Sequence, residues 1–340
     1  MTFSRAQSIL FIGLIALAPE LFAQTEKPRT ESKSGSAVST GLWYAHHFAS
    51  PEALTPGRDR SLKIKLISTL GKVPELPWDA VSDSFDKATF QRIAGGGNVL
   101  SLETMERAIR DKTPQSRMDL HAKTRQHADL LTTQFDLIEE QHRKPAAELV
   151  EWIVKNYLPG RPLGVITICT RNTRRSMLSA TMGNVAAAYY GFTDLHFSSG
   201  GTAPDAFNPR TIAALKEIGV EIEPTGKEAP RGKEDRENPI YRVRWSKGQE
   251  AVEFSKKYTD AQNPQSGFAA ILVCSEADTA CPKVEGANVR IPLPYLDPKA
   301  FDGAPFEAAK YAERRDDVGR FMLSVLMQAR RRLELDGKWK

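Results

Sequence analysis

The amino-acid sequence predicts an α/β protein, a central parallel sheet with helices on both faces, preceded by a small helical region. Three observations predict it. Short continuous apolar runs at 163–168, 268–273 and 289–293 have the character of strands buried on both faces. Segments of helical period separate and close them: about 176–190, a stretch opened by Asn208-Pro209, and 306–333. Strand and helix alternate along the chain, and that alternation builds a parallel sheet because each crossover must carry the chain back to the starting end.

Residues 1–23 carry a single basic residue, Arg5, then an apolar run from Ile9 to Ala18 and a small residue, Ala23. That is the layout of a secretory signal peptide, with Leu21 imperfect at the −3 position. The run is too short for a spanning helix, which needs roughly 20 residues. An exported protein, periplasmic or secreted and without a membrane anchor after cleavage, is therefore expected; the chain is cytoplasmic if this segment is not a leader. Residues 24–60 are rich in Ser, Thr, Lys, Pro and Gly around an aromatic patch at Trp43, Tyr44 and Phe48, and predict a flexible linker.

From 61 to 143 apolar residues are sparse, with Leu131, Phe135 and Ile138 on one helical face, which predicts the small helical region. Gly95-Gly96-Gly97 lacks the Lys-Ser/Thr and the preceding strand of a phosphate loop, and reads as a turn. The α/β domain is expected over 145–335. It opens on a helix patterned by Ala146, Leu149, Val150, Ile153 and Tyr157 and stopped at Pro159-Gly160. A short strand is expected at 196–198. Residues 224–250 are charged, rich in Pro and Gly and without clear period, which predicts a surface excursion.

Composition narrows the function. A chain of 340 residues, 41% apolar and 26% charged, supports one sizeable core with a smaller appendage and excludes fibrous or wholly disordered classes. Its 47 basic residues are interleaved with 42 acidic ones, so no basic stripe for nucleic acid is expected. Three cysteines, Cys169, Cys274 and Cys281, leave at least one thiol outside any disulfide. The six histidines show no zinc-type spacing with them, and no metal is expected.

The chemistry concentrates at Val165-Ile-Thr-Ile-Cys169-Thr-Arg-Asn172-Thr-Arg-Arg175-Ser176. This places a cysteine at the exit of a strand and an arginine at the start of a helix. Loop N–H groups and the positive helix end then converge on one point, which favours a bound anion and a thiolate there. Arg175 offers a planar fork that matches two oxygens of a tetrahedral anion. The expected oxyanion-binding residues are Thr170, Arg171, Asn172, Thr173, Arg174, Arg175 and Ser176, with Ser176 donating to the thiolate and Asn172 pinning the loop.

The segment Cys169-Thr-x-Asn-x-x-Arg-Ser176 resembles the signature loop of the low-molecular-weight protein tyrosine phosphatases and the thioredoxin-coupled arsenate reductases. Ser199-Gly-Gly-Thr202 and Asn208-Pro-Arg resemble that superfamily's second strand and helix. Cys274-Ser-Glu-Ala-Asp278-Thr-Ala-Cys281-Pro282 resembles the redox segment of the reductases, and Asp297-Pro298 the source of the general acid. The resemblance spans about 145–335. It implies a low-molecular-weight phosphatase-like fold, Cys169 as nucleophile, Arg175 as clamp and Asp297 as acid. In the arsenate branch it further implies that Cys274 attacks Cys169 and that Cys281 resolves the product into a Cys274–Cys281 disulfide.

Departures accompany the likeness: Arg171 replaces the usual loop Gly, Arg174 adds a charge, and Ala180 stands where some reductases carry a potassium-linked Glu. Asp297-Pro298 continues without the paired tyrosines that flank a phosphotyrosine pocket. The leading expectation is a thiol-dependent arsenate reductase with no tightly bound cofactor and an external thioredoxin-like dithiol reductant as partner. The alternatives are a phosphatase acting on phosphotyrosine or small phosphoesters, and a non-catalytic oxyanion-binding or sensor protein. Export conflicts with the first, because an oxidising compartment lacks the cytosolic dithiol pool.

Overall fold

The structure, a computed structural model, describes residues 33–55, 57–231, 235–280 and 283–339. The expected signal peptide lies outside the described residues. In chain order come α1 (Lys33–Phe48), α2 (Arg58–Leu70), β1 (Glu75–Pro77), α3 (Lys87–Ile93), β2 (Val99–Ser101), α4 (Leu102–Lys112), α5 (Gln115–Asp119), α6 (Ala122–Thr132) and α7 (Arg143–Asn156). The second half holds β3 (Leu163–Cys169), α8 (Arg175–Tyr190), β4 (Leu195–Gly201), α9 (Pro209–Glu217), β5 (Glu221–Glu228), β6 (Pro239–Ser246), β7 (Gln249–Glu253), β8 (Phe268–Leu272), α10 (Ser275–Ala280), β9 (Ala287–Pro292) and α11 (Glu307–Leu335).

The main sheet has the order β4-β3-β8-β9 and is parallel throughout, flanked by helices. β3 sits inside it with neighbours on both sides, which is why its sequence is an unbroken apolar run. From β3 the chain passes through α8 to β4 on one side and later enters β8 on the other. The carboxyl ends of β3 and β8 therefore diverge at a switch point, the place where open α/β sheets bind ligands. Gly183 lets α8 lie directly on β4, since a Cβ there would come 2.4 Å from the Phe197 ring. Gly191, at φ +85°, ends the helix in the left-handed conformation that residues with a Cβ avoid.

Two expectations are corrected. Residues 33–60 are not a linker: α1 is a 16-residue helix whose Tyr44 is fully buried and stacks on Phe48 and Phe85, with centroids 4.7 and 5.6 Å away. Small residues serve close packing there. A Cβ on Gly41 would reach 2.3 Å from a Leu70 methyl, so the composition that suggests a linker is a helix-contact face. The excursion expected at 224–250 has a regular strand period rather than none. β5, β6 and β7 form a three-stranded antiparallel sheet, with Val243 and Trp245 buried on one face and Arg242 and Arg244 on the other.

The first half is helical as expected, with the added β1–β2 pair. It shares one core with the second: the buried apolar cluster runs from Ala37 to Leu333, and α1 and α6 both pack on α11. Among the described residues no helix is long and apolar enough to cross a membrane.

Candidate active site

The loop from Thr170 to Arg174 joins β3 to α8 and folds around the sulfur of Cys169, a residue that is 3% exposed. Its carbonyls face outward. Cys169 O accepts from Thr202 N at 3.2 Å, Thr170 O from Ala203 N at 2.8 Å, Arg171 O from Asp205 N at 3.1 Å, and Thr173 O from Asn208 N at 3.1 Å. In a trans peptide the N–H opposes the C=O, so the amides of Thr170, Arg171, Asn172 and Arg174 turn to the other side. One of them, Asn172 N, donates to Cys169 Sγ at 3.2 Å. The amides of Arg175, Ser176 and Met177 precede the first bond of α8, from Leu178 N to Arg174 O, and no side chain caps the helix. An anion seated there meets a ring of N–H groups and the positive end of a 16-residue helix.

Asn172 closes this loop at φ +49°, a left-handed conformation Asn tolerates better than most residues. Its amide donates to Ser176 Oγ at 2.9 Å and accepts from Lys256 N at 2.8 Å. Ser176 Oγ is in turn 3.1 Å from Cys169 Sγ. Gly201 is required beside it, because a Cβ would fall 2.8 Å from Thr170 O and 2.9 Å from Asn172 N.

Arg175 is buried and held by one segment: Nη1 donates to Tyr295 O and Nη2 to Asp297 Oδ2, both at 3.0 Å, with Glu276 3.7 Å from Nη1. Asp297 uses its second oxygen to accept from Lys299 N at 3.0 Å, capping the turn at Pro298–Phe301. Cys169, Arg175, Glu276, Asp297 and Lys299 line a cavity of about 250 Å³ with the loop.

Cys274 follows β8, next to the same loop. It is fully buried, 3.6 Å from Thr170 Oγ1, and accepts from Ala277 N at 3.3 Å. Burial raises its thiol above the ordinary range. Cys281 and Pro282 lie outside the described residues. The structure thus brings together Cys169, Thr170, Asn172, Thr173, Arg175, Ser176, Cys274 and Asp297.

Two of the expected anion ligands behave differently. Arg171 pairs with Asp205 at 3.3 Å, while Arg174 binds Tyr311 Oη at 2.7 Å and Asp302 at 3.2 Å. Their guanidinium groups form the outer wall, drawn to carboxylates rather than inward; their backbones shape the loop. Among the described residues no group of three or more His, Cys, Asp or Glu side chains is placed to hold a metal ion.

Several supporting residues have no local signal in the sequence. Ser255 Oγ donates to Arg171 O at 2.9 Å and accepts from Asp205 N at 2.8 Å, bracing the loop from beyond β7. His142, ahead of α7, lies 3.2 Å from Pro294 O and packs on the Tyr295 ring at 4.7 Å. These partners are 50 to 153 positions apart, and only the fold unites them.

No protein-family model matches the chain, and no curated protein matches it. Among solved structures it is similar to a thioredoxin-dependent arsenate reductase of Corynebacterium glutamicum, at 17% identity over 70% of this chain and 97% of that one, with a TM-score of 0.29.

Proposed function

We propose that this chain is a thiol-dependent arsenate reductase with Cys169 as nucleophile. The observation that carries the reading is a second thiol, Cys274, within hydrogen-bonding distance of the loop that surrounds the first. In this reading Cys169 attacks arsenate while the loop amides and Arg175 hold the oxyanion, and Asp297 protonates the departing oxygen. Cys274 then attacks Cys169 Sγ. The electron pair of the S–As bond passes to arsenic, arsenite leaves as As(III), and a Cys169–Cys274 disulfide remains. Cys281 attacks Cys274, frees the Cys169 thiolate, and an external dithiol reduces the resulting disulfide.

The test is arsenite release by the full chain with excess dithiol. Cys169→Ser should abolish it, and Cys274→Ser should stop after less than one equivalent. Sustained turnover by Cys274→Ser would end the reading.

A second reading is phosphomonoester hydrolysis, favoured by the place of the Asp297 carboxyl in the same cavity as Cys169 and Arg175. It requires only Cys169, Arg175 and Asp297. Cys169 takes the phosphoryl group, the leaving alkoxide takes a proton from Asp297, and water cleaves the phosphocysteine. Aryl phosphate hydrolysis that survives Cys274→Ser supports it.

A further inference from the structure

Beside the cradle lies a second cavity of about 400 Å³, in the roughly 300–1,000 Å³ range of small-molecule sites. Arg171, Thr173, Arg174 and Lys299 line both, so the two meet along the outer wall of the loop. The far wall belongs to the β5–β7 sheet, which contributes Arg236 from the β5–β6 connection and Tyr241 from β6. Those strands are tied to the loop through Ser255 and Lys256, so the wall is fixed relative to Cys169.

The lining is amphipathic in a definite way. Phe207, which is buried, and Tyr241, which is half-buried, meet edge to face with centroids 5.6 Å apart and supply an aromatic wall. Four cations, Arg171, Arg174, Arg236 and Lys299, stand against two carboxylates, Asp205 and Glu237. Asp205 is buried and already accepts from Arg171 and Arg236 at 3.3 and 3.2 Å. Lys299 is exposed, and among the described residues its ammonium has no ion-pair partner. A bare oxyanion seated in the cradle leaves the Lys299 ammonium and the aromatic wall unused.

We propose that the groove is a leaving-group subsite and that the site takes phosphomonoesters whose organic part carries a carboxylate. The phosphoryl group occupies the amide cradle, the apolar stem lies on Phe207 and Tyr241, and the carboxylate is met by Lys299 and Arg236. This rests on the hydrolytic reading of the site. The reaction is the one given for that reading, with the alcohol or phenol of the organic acid released after protonation by Asp297.

The experiment uses the full chain carrying Cys169→Ser, which retains the cradle without turnover, and calorimetric binding of phenyl phosphate and 4-carboxyphenyl phosphate. The carboxylated ester should bind about five-fold tighter, the upper end for an exposed charge pair. Adding Lys299→Gln and Arg236→Gln should bring that ratio to about one, whatever happens to the affinity for phenyl phosphate. Because the readout is a ratio within one protein, a loss of oxyanion affinity common to both esters does not imitate it, and the variant is read only if it still binds phenyl phosphate and keeps the thermal unfolding midpoint of the Cys169→Ser chain. Equal binding of the two esters before those substitutions, or a preference that survives both, overturns the subsite and leaves the hydrolytic reading standing. Failure of the chain with Cys169 intact to hydrolyse either ester overturns the hydrolytic reading, and the substrate assignment with it.

Discussion

The side-chain amide of Asn172 lies 2.9 Å from the hydroxyl of Ser176, and the Cys169 sulfur is within hydrogen-bonding distance of both residues. This buried triangle sets the shape of the loop. Asn172→Ala places a residue with no such amide at positive φ and leaves the Lys256 N–H without its acceptor. The left-handed conformation costs roughly 1–2 kcal/mol and a buried unpaired donor about 1–3 kcal/mol. Denaturant unfolding should show a loss of about 2–5 kcal/mol, with turnover down by roughly 10²-fold as the amide ring opens.

Asp297 and Arg175 neutralise one another across the cavity. Asp297→Asn removes the carboxyl proposed above as proton donor and, with it, the group that pairs with Arg175. Turnover should fall by roughly 10²–10⁴-fold, whereas inorganic phosphate should bind at least as tightly as before. Calorimetry set against rate separates the two effects; weaker phosphate binding would contradict this arrangement.

His142 joins the N-terminal half to the segment that holds Arg175. With a carbonyl as acceptor, its Nε2 carries the proton and donates to Pro294 O, next to the Tyr295 carbonyl that holds Arg175. His142→Leu should weaken arsenate or phosphate binding about ten-fold, roughly the value of a buried bond to a shared backbone segment. His142→Gln, which keeps a donor, should recover most of it at similar thermal stability. Equal binding by all three proteins would remove His142 from the support of the site.

His46 and His47 are buried in α1. Burial, assisted by Arg117, lowers His46 from 6.5 to about 3, and burial with Arg330 holds His47 well below its ordinary value. The unfolded chain thus binds more protons than the folded one below pH 6.5, so stability is full above that pH and falls as the medium is acidified toward about pH 3. Each histidine contributes a slope of up to about 1.4 kcal/mol per pH unit in that window. Urea midpoints measured from pH 7.5 to 4.5 should show it, and His46→Gln should flatten the slope.

The parallel sheet and the Cys169 loop were legible because their signals are local. An unbroken apolar run marks β3, a helical period marks α8 and α11, and Cys169 and Arg175 are six positions apart on opposite sides of one turn. The α1 helix was not legible, since Gly41 and its small neighbours gain meaning only from the leucines of α2. The β5–β7 sheet had a period-2 signal at Tyr241, Val243 and Trp245, obscured by the arginines and glutamates on its other face.

The sequence by itself determined that a cysteine thiol would leave a strand into a helix N-terminus, because chain direction and turn chemistry are properties of neighbouring residues. Tertiary structure alone decided what surrounds that thiol. Arg171 and Arg174 turn outward because Asp205, Asp302 and Tyr311 draw them, and Asn172 is locked by Lys256 from 84 residues away. The physical reason is that hydrogen bonds and ion pairs are satisfied by proximity in space, and the folded core sets that proximity.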